Sequence, residues 1–342
     1  MTSISGEQSY RRDVDLGIST GRAAGEPLIL NHVLSSGASS GIFDAIFKYF
    51  EQFSPGNAEI VVSETPLPDA DIHHYHRCHL ETRLSNRAVC TVHHDLREPD
   101  YWLEVNKFLD RYREAKLVVC LNQGQKDFLR ERGILHTVVI PHGYNSALLS
   151  PKRVQPRKRR EDGKVTLGIV STYYIRRCKG EAYLLELVKR LSPQEFEFVL
   201  VGSGRLKTAE MLMDLGYGTR LFETLPYRLF QNMYESMDYL LMCSQFEGGP
   251  ANLPEAMATQ TPVLATSVGL VPDYITDGKT GIILTGDPDN DAERIAALVD
   301  EDSPLVKALE EGAVTLRGRS LTWQECVGRY FDAYGEYLGA CS

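Results

Sequence analysis

Short apolar runs alternate with amphipathic stretches along the first half of the chain. Residues 28–34 form an apolar run suited to a buried parallel strand, and a Ser/Gly-rich loop at 35–41 separates it from an amphipathic helix predicted near 42–53. Further strands are predicted at 59–62, 90–92, 117–121 and 138–140. Strands that alternate with helical or loop segments in this way predict a parallel sheet. We therefore expect a first α/β domain over residues 28–150.

The same alternation restarts in the second half of the chain. Strands are predicted at 165–170, 196–201, 239–243 and 263–265, and helices near 180–191, near 205–215 and from about 254 onward. The predicted fold class is α/β, with two Rossmann-like, doubly wound parallel sheets, the second in a domain over residues 164–320. Ligands of such sheets bind at the carboxyl ends of the strands, where the functional residues are expected.

Size, charge and cysteine usage narrow the class of protein. The 342 residues fit two domains of ordinary size, and the net charge of -9 argues against nucleic acid as a partner. Seven scattered cysteines without a C-x-x-C pair predict neither a disulfide framework nor a zinc site. No apolar run approaches the roughly 20 residues of a transmembrane segment, and residues 1–27, a polar N-terminal extension, do not resemble a signal peptide. We expect a soluble, cytoplasmic protein.

Basic residues cluster between the two predicted domains. Residues 151–163 contain two prolines, at 151 and 156, and carry Lys152, Arg153, Arg157, Lys158, Arg159 and Arg160. We interpret this stretch as a solvated interdomain linker, with a membrane or phosphate-binding patch as the alternative. A role at anionic lipid would need an adjacent amphipathic helix, and the pattern predicts none here.

Two carboxylates, Glu247 and Glu255, straddle a loop rich in glycine and proline. Its glycines allow backbone to approach a ligand closely, and Pro254 suits the first position of a helix, which is therefore predicted to begin near Glu255. The free N–H groups at a helix start favour a diphosphate, and a carboxylate there is expected to stay ionised and to accept hydroxyl hydrogens. The loop residues are candidates for binding a nucleotide sugar: Gly248, Gly249, Pro250, Ala251, Asn252 and Leu253.

An ordered set of motifs surrounds this loop. The set reads SQFEGG at 244–249, EAMA at 255–258, PVLAT at 262–266, VG at 268–269 and DGKTG at 277–281. Together these motifs resemble the donor-site signature of the family 4 retaining glycosyltransferases, and the resemblance is strongest over 164–285. It implies the GT-B fold, in which two Rossmann-like domains face each other across a cleft. It also implies an acceptor-side first domain and a C-terminal helix within 321–342 that packs back on that domain.

The resemblance further implies an activity. A sugar moves from a nucleoside-diphosphate donor, with UDP as the predicted nucleotide, to a hydroxyl of a small-molecule or oligosaccharide acceptor, with retention at the anomeric carbon. The family needs neither a metal nor a prosthetic group. Biosynthesis of an oligosaccharide antibiotic of the avilamycin type is our hypothesis for the pathway. A surface-glycan or lipopolysaccharide transferase and a nucleotide-sugar epimerase remain open as alternatives, as does a non-catalytic nucleotide-sugar sensor.

The resemblance assigns roles to individual residues. Glu247 faces the donor sugar and stabilises an oxocarbenium-like transition state, while Glu255 takes the ribose hydroxyls. Lys179 contacts the diphosphate. His93, at the end of a predicted strand, approaches the sugar near the reaction centre, with a packed strand-end histidine as the alternative interpretation. Glu247, His93 and Lys179 are therefore the predicted catalytic residues.

The leaving diphosphate needs more positive charge than one lysine supplies. The family usually carries an arginine at the end of the strand before Lys179, but this chain has Ser171 and Thr172 there. Either Arg176 or Arg177 replaces that charge, or the two hydroxyls hold the phosphate without it. Three further residues are predicted to line the nucleotide site: Gly37 in the first Ser/Gly loop, Gly202 in a G-S-G turn and Leu225 beside the base.

Other acidic and histidine clusters are interpreted as structural. Asp71, His73, His74, His76 and His79 could form a metal site by number, but the chemistry that the resemblance implies does not use histidine-bound metal, so no metal site is predicted. The D-x-D triplets at 69–71 and 287–289 are interpreted as loop acids. An NAD-dependent dehydrogenase would suit alternating strands and helices, but Lys207 interrupts its glycine fingerprint.

Overall fold

The computed structural model describes residues 26–38, 40–152, 163–176 and 178–339. Nearly all of the predicted N-terminal extension, the linker from 153 to 162, and Arg177 lie outside these ranges. Two six-stranded sheets dominate the described chain, and every strand pair in them is parallel. The predicted fold class is therefore confirmed as two Rossmann-like domains.

The first sheet is built from the N-terminal half of the chain. Its strands are β1 (Leu28–Val33), β2 (Ala58–Ser63), β3 (Ile72–Tyr75), β4 (Ala88–Val92), β5 (Leu117–Cys120) and β6 (Thr137–Val139), in the spatial order β2-β1-β3-β4-β5-β6. Its helices are α1 (Gly41–Phe53), α2 (Asn106–Glu114) and α3 (Gln123–Arg130). Strands β4 and β5 are fully buried, as expected for a parallel sheet covered on both faces.

The second sheet has the strand order of a dinucleotide-binding fold. Its strands are β7 (Val165–Val170), β8 (Phe196–Val201), β9 (Gly218–Phe222), β10 (Tyr239–Met242), β11 (Val263–Thr266) and β12 (Gly281–Leu284), in the order β12-β11-β10-β7-β8-β9. The order reverses between β7 and β10, so a crevice opens at their carboxyl ends. Its helices are α4 (Glu181–Val188), α5 (Leu206–Asp214), α6 (Phe230–Glu235), α7 (Asn252–Ala258), α8 (Val271–Tyr274), α9 (Pro288–Ala296) and α10 (Pro304–Arg317).

Three strands, β3, β9 and β12, were not predicted by the apolar pattern. Strand β3 contains two histidines, which a search for apolar runs passes over, although the strand is buried throughout. Strands β9 and β12 lie at the two edges of the second sheet, and β9 is half exposed with mixed polarity. The pattern of β9 is weak because one side of an edge strand has no neighbour to pack against. Strand β12 is an apolar run of only four residues, Gly281–Leu284, which is too short for its pattern to distinguish a strand from another buried segment.

A long C-terminal helix, α11 (Trp323–Gly339), packs on the first domain, as predicted for the GT-B fold. Its buried residues share a hydrophobic core with α1 and the first sheet. Trp323 stacks on Tyr49 with ring centroids 4.7 Å apart, and Tyr330 meets the edge of Phe50 at 5.1 Å. The chain thus crosses back after the second domain and ties the two halves together. Of the helices in the described ranges, none combines the length and the apolar character that a bilayer crossing needs.

Candidate functional site

A cavity of about 270 Å³ opens at the carboxyl ends of β7 and β10, where the strand order reverses. Loops that follow β7, β8 and β10 converge here. Many residues predicted from the sequence line this cavity: Ser171, Thr172, Lys179, Gly202, Pro250, Ala251, Asn252 and Glu255. These residues come from four separate parts of the second domain, and the sheet topology brings them together.

Lys179 and Glu247 form an ion pair beside this cavity. The Nζ atom of Lys179 lies 2.5 Å from Oε1 of Glu247, and the Ser244 hydroxyl donates to the same oxygen at 2.7 Å. Burial opposes the charged form of Lys179, but the adjacent carboxylate outweighs it, so the pKa of the ammonium is raised. A permanently charged lysine therefore lies at the cavity, within reach of an anionic ligand.

Gly180 places Lys179 at the start of α4. Its φ of 74° is left-handed, and a Cβ atom built there would lie within van der Waals overlap of the Cys243 carbonyl after β10. Only glycine fits both the conformation and the close approach. The glycine that follows Lys179 is therefore required by the packing of the loop after β7 against the end of β10.

Glu255 is buried and already accepts two hydrogen bonds. The hydroxyls of Tyr227 and Tyr234 donate to its two carboxylate oxygens, each at 2.8 Å. Burial raises the pKa of Glu255 to about 7, while the tyrosine hydroxyls oppose this rise. The expectation that this carboxylate is fully ionised at neutral pH is wrong, because desolvation outweighs the hydrogen bonds.

Helix α7 begins earlier than the sequence predicted. It starts at Asn252, so Pro254 occupies the third helical position and Glu255 the fourth. Proline is accommodated there because the first four N–H groups of a helix have no intrahelical acceptor. The Asn252 side chain donates to the carbonyl of Val170 at 2.8 Å and so ties the helix start to β7. The Leu253 side chain, predicted for the site, is buried in the core of the second domain.

The two loop glycines approach the first domain. A Cβ atom on Gly248 would lie 2.6 Å from the carbonyl of His93, and one on Gly249 would lie 2.6 Å from the Leu121 side chain. The amide of Asn122, after β5, donates to the Gly248 carbonyl at 2.7 Å. The sequence predicted that these glycines allow close approach to a ligand; in the structure they allow close approach between the domains.

His93 ends a chain of hydrogen-bonded imidazoles. Its Nε2 atom lies 2.9 Å from Nδ1 of His76, whose Nε2 atom lies 2.9 Å from Nδ1 of His32 on β1. Behind them, His74 bonds Thr91 and the hydroxyl of Tyr334 on α11, each at 2.7 Å. Burial keeps these imidazoles neutral: it lowers the pKa of His74 to about 3 and those of His32, His76 and His93 well below the usual value.

Of the histidines between residues 73 and 79, only His74 and His76 come together, and they do so with His32 of β1. His73 and His74 point to opposite faces of the sheet because side chains alternate along a strand, and His73 bonds Ser85 and the Leu67 carbonyl instead. Ligand atoms of His32, His74 and His76 do lie within 4.8 Å of one another. Their nitrogens are hydrogen-bonded among themselves or to His93, Thr91 and Tyr334, except Nε2 of His32.

Three arginines bear on the phosphate site: Arg176 and Arg177, which were predicted for it, and Arg205, which was not. Arg176 pairs with Glu98 of the first domain at 3.0 Å, and Arg177 lies outside the described residues. Arg205, which follows the G-S-G turn after β8, is buried beside Ser171. The sequence signal that could have identified Arg205 is its position just after β8, the strand next to β7 in the sheet.

The remaining predicted positions lie around the cavity or apart from it. Gly202 has a φ of 136°, and a Cβ atom there would overlap the Ser171 carbonyl, so this glycine lets the ends of β7 and β8 meet. Leu225 is half-buried against the core of the second domain. Gly37 is exposed in a short 3-10 helix after β1 and does not line the cavity.

A second cavity of about 240 Å³ lies between the domains, and Glu247 forms part of its wall. Its polar lining comes from both sides: Asp95, Arg97, Asn122 and Gln125 from the first domain, and Gln245, Ser267 and Asp273 from the second. The backbone N–H of Gln123 donates to the Asp273 carboxylate at 2.8 Å across this junction. Glu247 thus contributes to this cavity and pairs with a lysine that lines the first cavity.

Comparisons with known proteins bear on this arrangement. Residues 164–301 match the family model described as "Glycosyl transferases group 1". The chain is 24% identical over 267 residues to an uncharacterized glycosyltransferase of Methanocaldococcus jannaschii, covering 75% of this chain and 70% of that protein. It is 28% identical over 216 residues to the D-inositol 3-phosphate glycosyltransferase of Corynebacterium efficiens, covering 58% of this chain and 50% of that relative. The chain therefore spans half the length of this second relative.

Among solved structures, HepE of Anabaena, in complex with UDP and glucose, superimposes with a TM-score of 0.63 at 16% identity. The match covers 89% of this chain and 98% of that one, and it shows that the two share a fold. The two Rossmann-like domains thus match the GT-B fold, and residues 164–301 are similar to the group 1 glycosyl transferases.

Proposed function

We propose that this protein is a retaining, metal-independent glycosyltransferase. It moves a sugar from a nucleoside-diphosphate donor, with UDP as the nucleotide, to a hydroxyl of a small-molecule or oligosaccharide acceptor. The observation that carries this proposal is the Lys179–Glu247 pair, which joins the cavity at the β7–β10 switch point to the cavity between the domains. The UDP in the HepE complex supports the choice of nucleotide.

The donor binds in the first cavity, with its diphosphate beside Lys179. The lysine exchanges the Glu247 carboxylate for phosphate oxygens, and this charge stabilises the negative charge that develops on the leaving group. The ribose hydroxyls donate to Glu255. Tyr227 is the half-exposed partner of that carboxylate and Tyr234 the buried one, so a ribose hydroxyl takes the place of the Tyr227 hydroxyl.

Transfer takes place at the Lys179–Glu247 pair, between the two cavities. The bond between the anomeric carbon and the diphosphate oxygen breaks, and the acceptor oxygen forms its bond on the same face. The acceptor proton passes to the leaving phosphate oxygen, so no separate protein base is needed. Glu247, released from Lys179, stabilises the positive charge on the sugar, and His93 approaches the sugar from the first domain. A neutral His93, held through His76, can donate or accept a hydrogen bond without adding charge.

The acceptor binds in the cavity between the domains. Its polar lining, with Asp95, Gln125 and Asp273, suits a ligand rich in hydroxyl groups. Two acceptor classes belong to this proposal: an oligosaccharide antibiotic of the avilamycin type, and a surface glycan such as lipopolysaccharide.

The six described cysteines are free and buried. Such thiols are typical of a reducing compartment, which supports the cytoplasmic location predicted from the sequence.

Calorimetric titration of the full chain tests this function. UDP, dTDP, GDP and NAD are titrated separately with EDTA present, into the wild type and into Glu255→Ala. We expect binding of UDP without metal and its loss in the variant, whose folding is checked by thermal unfolding. Binding of NAD alone would instead favour a dehydrogenase.

NMR of the product tests retention. Once an acceptor that the enzyme uses is found, the product is expected to show the donor's anomeric configuration. Isomerisation of the donor sugar without any acceptor would instead identify an epimerase.

Nucleoside binding is expected to depend on pH through Glu255. The pKa of this carboxyl is about 7, so it gains its charge between pH 6 and 8 and becomes a stronger acceptor for ribose hydroxyls. Uridine, which carries no phosphate that titrates in this range, is expected to bind several-fold more tightly at pH 8 than at pH 6. Glu255→Gln is the matched control and should show a flat profile. Equal pH dependence in both proteins would contradict the role of Glu255.

A further inference from the structure

Arg205 is a cation held in the interior of the second domain. Its residue exposure is 1%, although a buried guanidinium is costly unless its N–H groups are paired. Nε donates to the carbonyl of Ser171 at 2.8 Å, Nη2 to the Ser171 hydroxyl oxygen at 2.7 Å, and Nη1 lies 3.3 Å from a Glu181 carboxylate oxygen. Arg205 therefore grips Ser171 by its backbone and its side chain together.

The direction of the hydroxyl bond follows from the chemistry of the two groups. A guanidinium has donors only, so the Ser171 oxygen must accept from Arg205. The hydroxyl hydrogen of Ser171 must then point away from Arg205. Ser171 lines the cavity of about 270 Å³ that also exposes Lys179. A hydrogen turned from the guanidinium can thus serve an anion in that cavity.

The position of Ser171 is fixed from several sides. Its backbone N–H donates to the Val201 carbonyl at 2.9 Å, and Gly202, next in the chain, packs against its carbonyl with no room for a Cβ atom. The Ser171 hydroxyl oxygen accepts a hydrogen bond from the charged guanidinium of Arg205. Because hydrogen bonds in a chain polarise one another, this bond strengthens the hydrogen bond that the hydroxyl itself donates. Arg205 itself is too deeply buried to reach a ligand in the cavity.

We infer that Ser171 is a second phosphate contact of the donor and that Arg205 is its positioning residue. The inference rests on the proposed function, because it assigns the diphosphate to the cavity beside Lys179. It explains how a chain with a serine at this strand end, and with Arg176 bound to Glu98, stabilises the leaving group without a second cationic side chain in contact with the phosphate. Arg205 polarises the Ser171 hydroxyl, and the hydroxyl donates to the phosphate.

Calorimetry with UDP and uridine, in EDTA, tests this pair. Ser171→Ala is expected to weaken UDP binding about 10-fold, the size of effect typical of a charge-assisted hydrogen bond, and to leave uridine within about two-fold. Ser171→Thr keeps the hydroxyl and should bind UDP nearly as the wild type does. Ser236→Ala, a hydroxyl bonded to the Met233 carbonyl in the same domain, is the matched control and should change neither ligand.

The positioning role of Arg205 is tested by a double-mutant cycle. Arg205→Lys keeps a buried cation but cannot grip both Ser171 atoms, and it is expected to weaken UDP binding several-fold. In the Ser171→Ala background the same change should have no further effect, since Arg205 acts through the hydroxyl. Equal effects of Arg205→Lys in both backgrounds, or equal losses for UDP and uridine, would show that the arginine is only structural.

The outcomes separate this inference from the proposed function. If the wild type binds UDP and Ser171→Ala binds it as tightly, the inference fails while the function stands. If the wild type binds neither UDP nor another of the nucleoside diphosphates, the proposed function fails, and the inference fails with it.

Discussion

Lys179→Met is expected to reduce sugar transfer by at least about 100-fold, the loss typical when one preorganised group that stabilises a developing oxyanion is removed. The change keeps an unbranched side chain of similar length and removes the ammonium that lies 2.5 Å from Glu247. UDP affinity should fall about 10-fold, because the lysine also contacts the diphosphate in the ground state. Uridine affinity should not change, because uridine has no diphosphate. Steady-state kinetics and calorimetry measure these quantities.

The matched control is Lys189→Met, at the other end of helix α4. Lys189 is exposed and pairs with Glu186 at 2.8 Å on the protein surface. Its loss removes one positive charge from the same helix without touching the cavity, so activity and UDP affinity should stay at the wild-type level. Near-normal UDP affinity in Lys179→Met would overturn the assignment of the phosphate site.

Lowering the pH from 6.5 to 5.0 is expected to destabilise the first domain by at least about 5 kcal/mol. Five histidines are neutral because burial lowers their pKa values well below that of an unfolded chain: His32, His74, His76, His93 and His94. Burial also lowers the pKa of His79 and His142 to about 4. A depressed histidine pKa stabilises the fold fully above the unfolded pKa of about 6.5, and this contribution is lost as the pH falls toward the folded value. Each such group loses up to about 1.4 kcal/mol per pH unit, so several together lose a large part of the stability of a typical domain.

Glu255 in the second domain responds in the opposite direction. Its raised pKa, about 7, means that the folded state takes up its proton at a higher pH than the unfolded state does. The second domain therefore gains about 2 kcal/mol of stability as the pH falls over the same range.

The positions of the two tryptophans allow unfolding of the first domain to be followed separately. Trp102 lies in the first domain and Trp323 packs on it, so tryptophan fluorescence reports unfolding of that domain.

Urea unfolding at pH 6.5 and 5.0, followed by tryptophan fluorescence, measures the acid effect. His32→Phe is the informative variant, because it removes one buried titratable ring and places another aromatic ring beside Phe47 and Phe50, which lie at centroid distances of 5.0 and 4.5 Å from His32. The variant should lose the contribution of one buried histidine, between about 1 and 2 kcal/mol of the acid effect. Unchanged wild-type stability between the two pH values would contradict burial of neutral histidines.

Much of the architecture could be predicted because it rests on local patterns. Strands such as β5 and β7 are short apolar runs between helices, and the position of α1 follows from its amphipathic spacing. The loop from Glu247 to Glu255 could be recognised because its residues are neighbours in sequence. Edge strand β9 could not, since its residues are of mixed polarity and half exposed at the sheet margin.

Residue partners across the structure could not be predicted in the same way. The pairing of Glu255 with Tyr227 and Tyr234 depends on how α6 and α7 pack together. The contact of Gly248 with His93 depends on how the domains meet. Both involve residues far apart in the chain, whose separation carries no periodic signal.

The sequence alone therefore determined the α/β class and, in each domain, the strands with the clearest hydrophobic pattern. It also determined the local order of the glutamates, glycines and lysine around the candidate site. The tertiary structure decided that Arg205 bonds Ser171, that His32 bonds His76 and that burial raises the pKa of Glu255 to about 7. The reason is physical: local patterns record which faces are buried, whereas hydrogen-bond partners and desolvation arise only when sheet register and domain packing bring distant residues together.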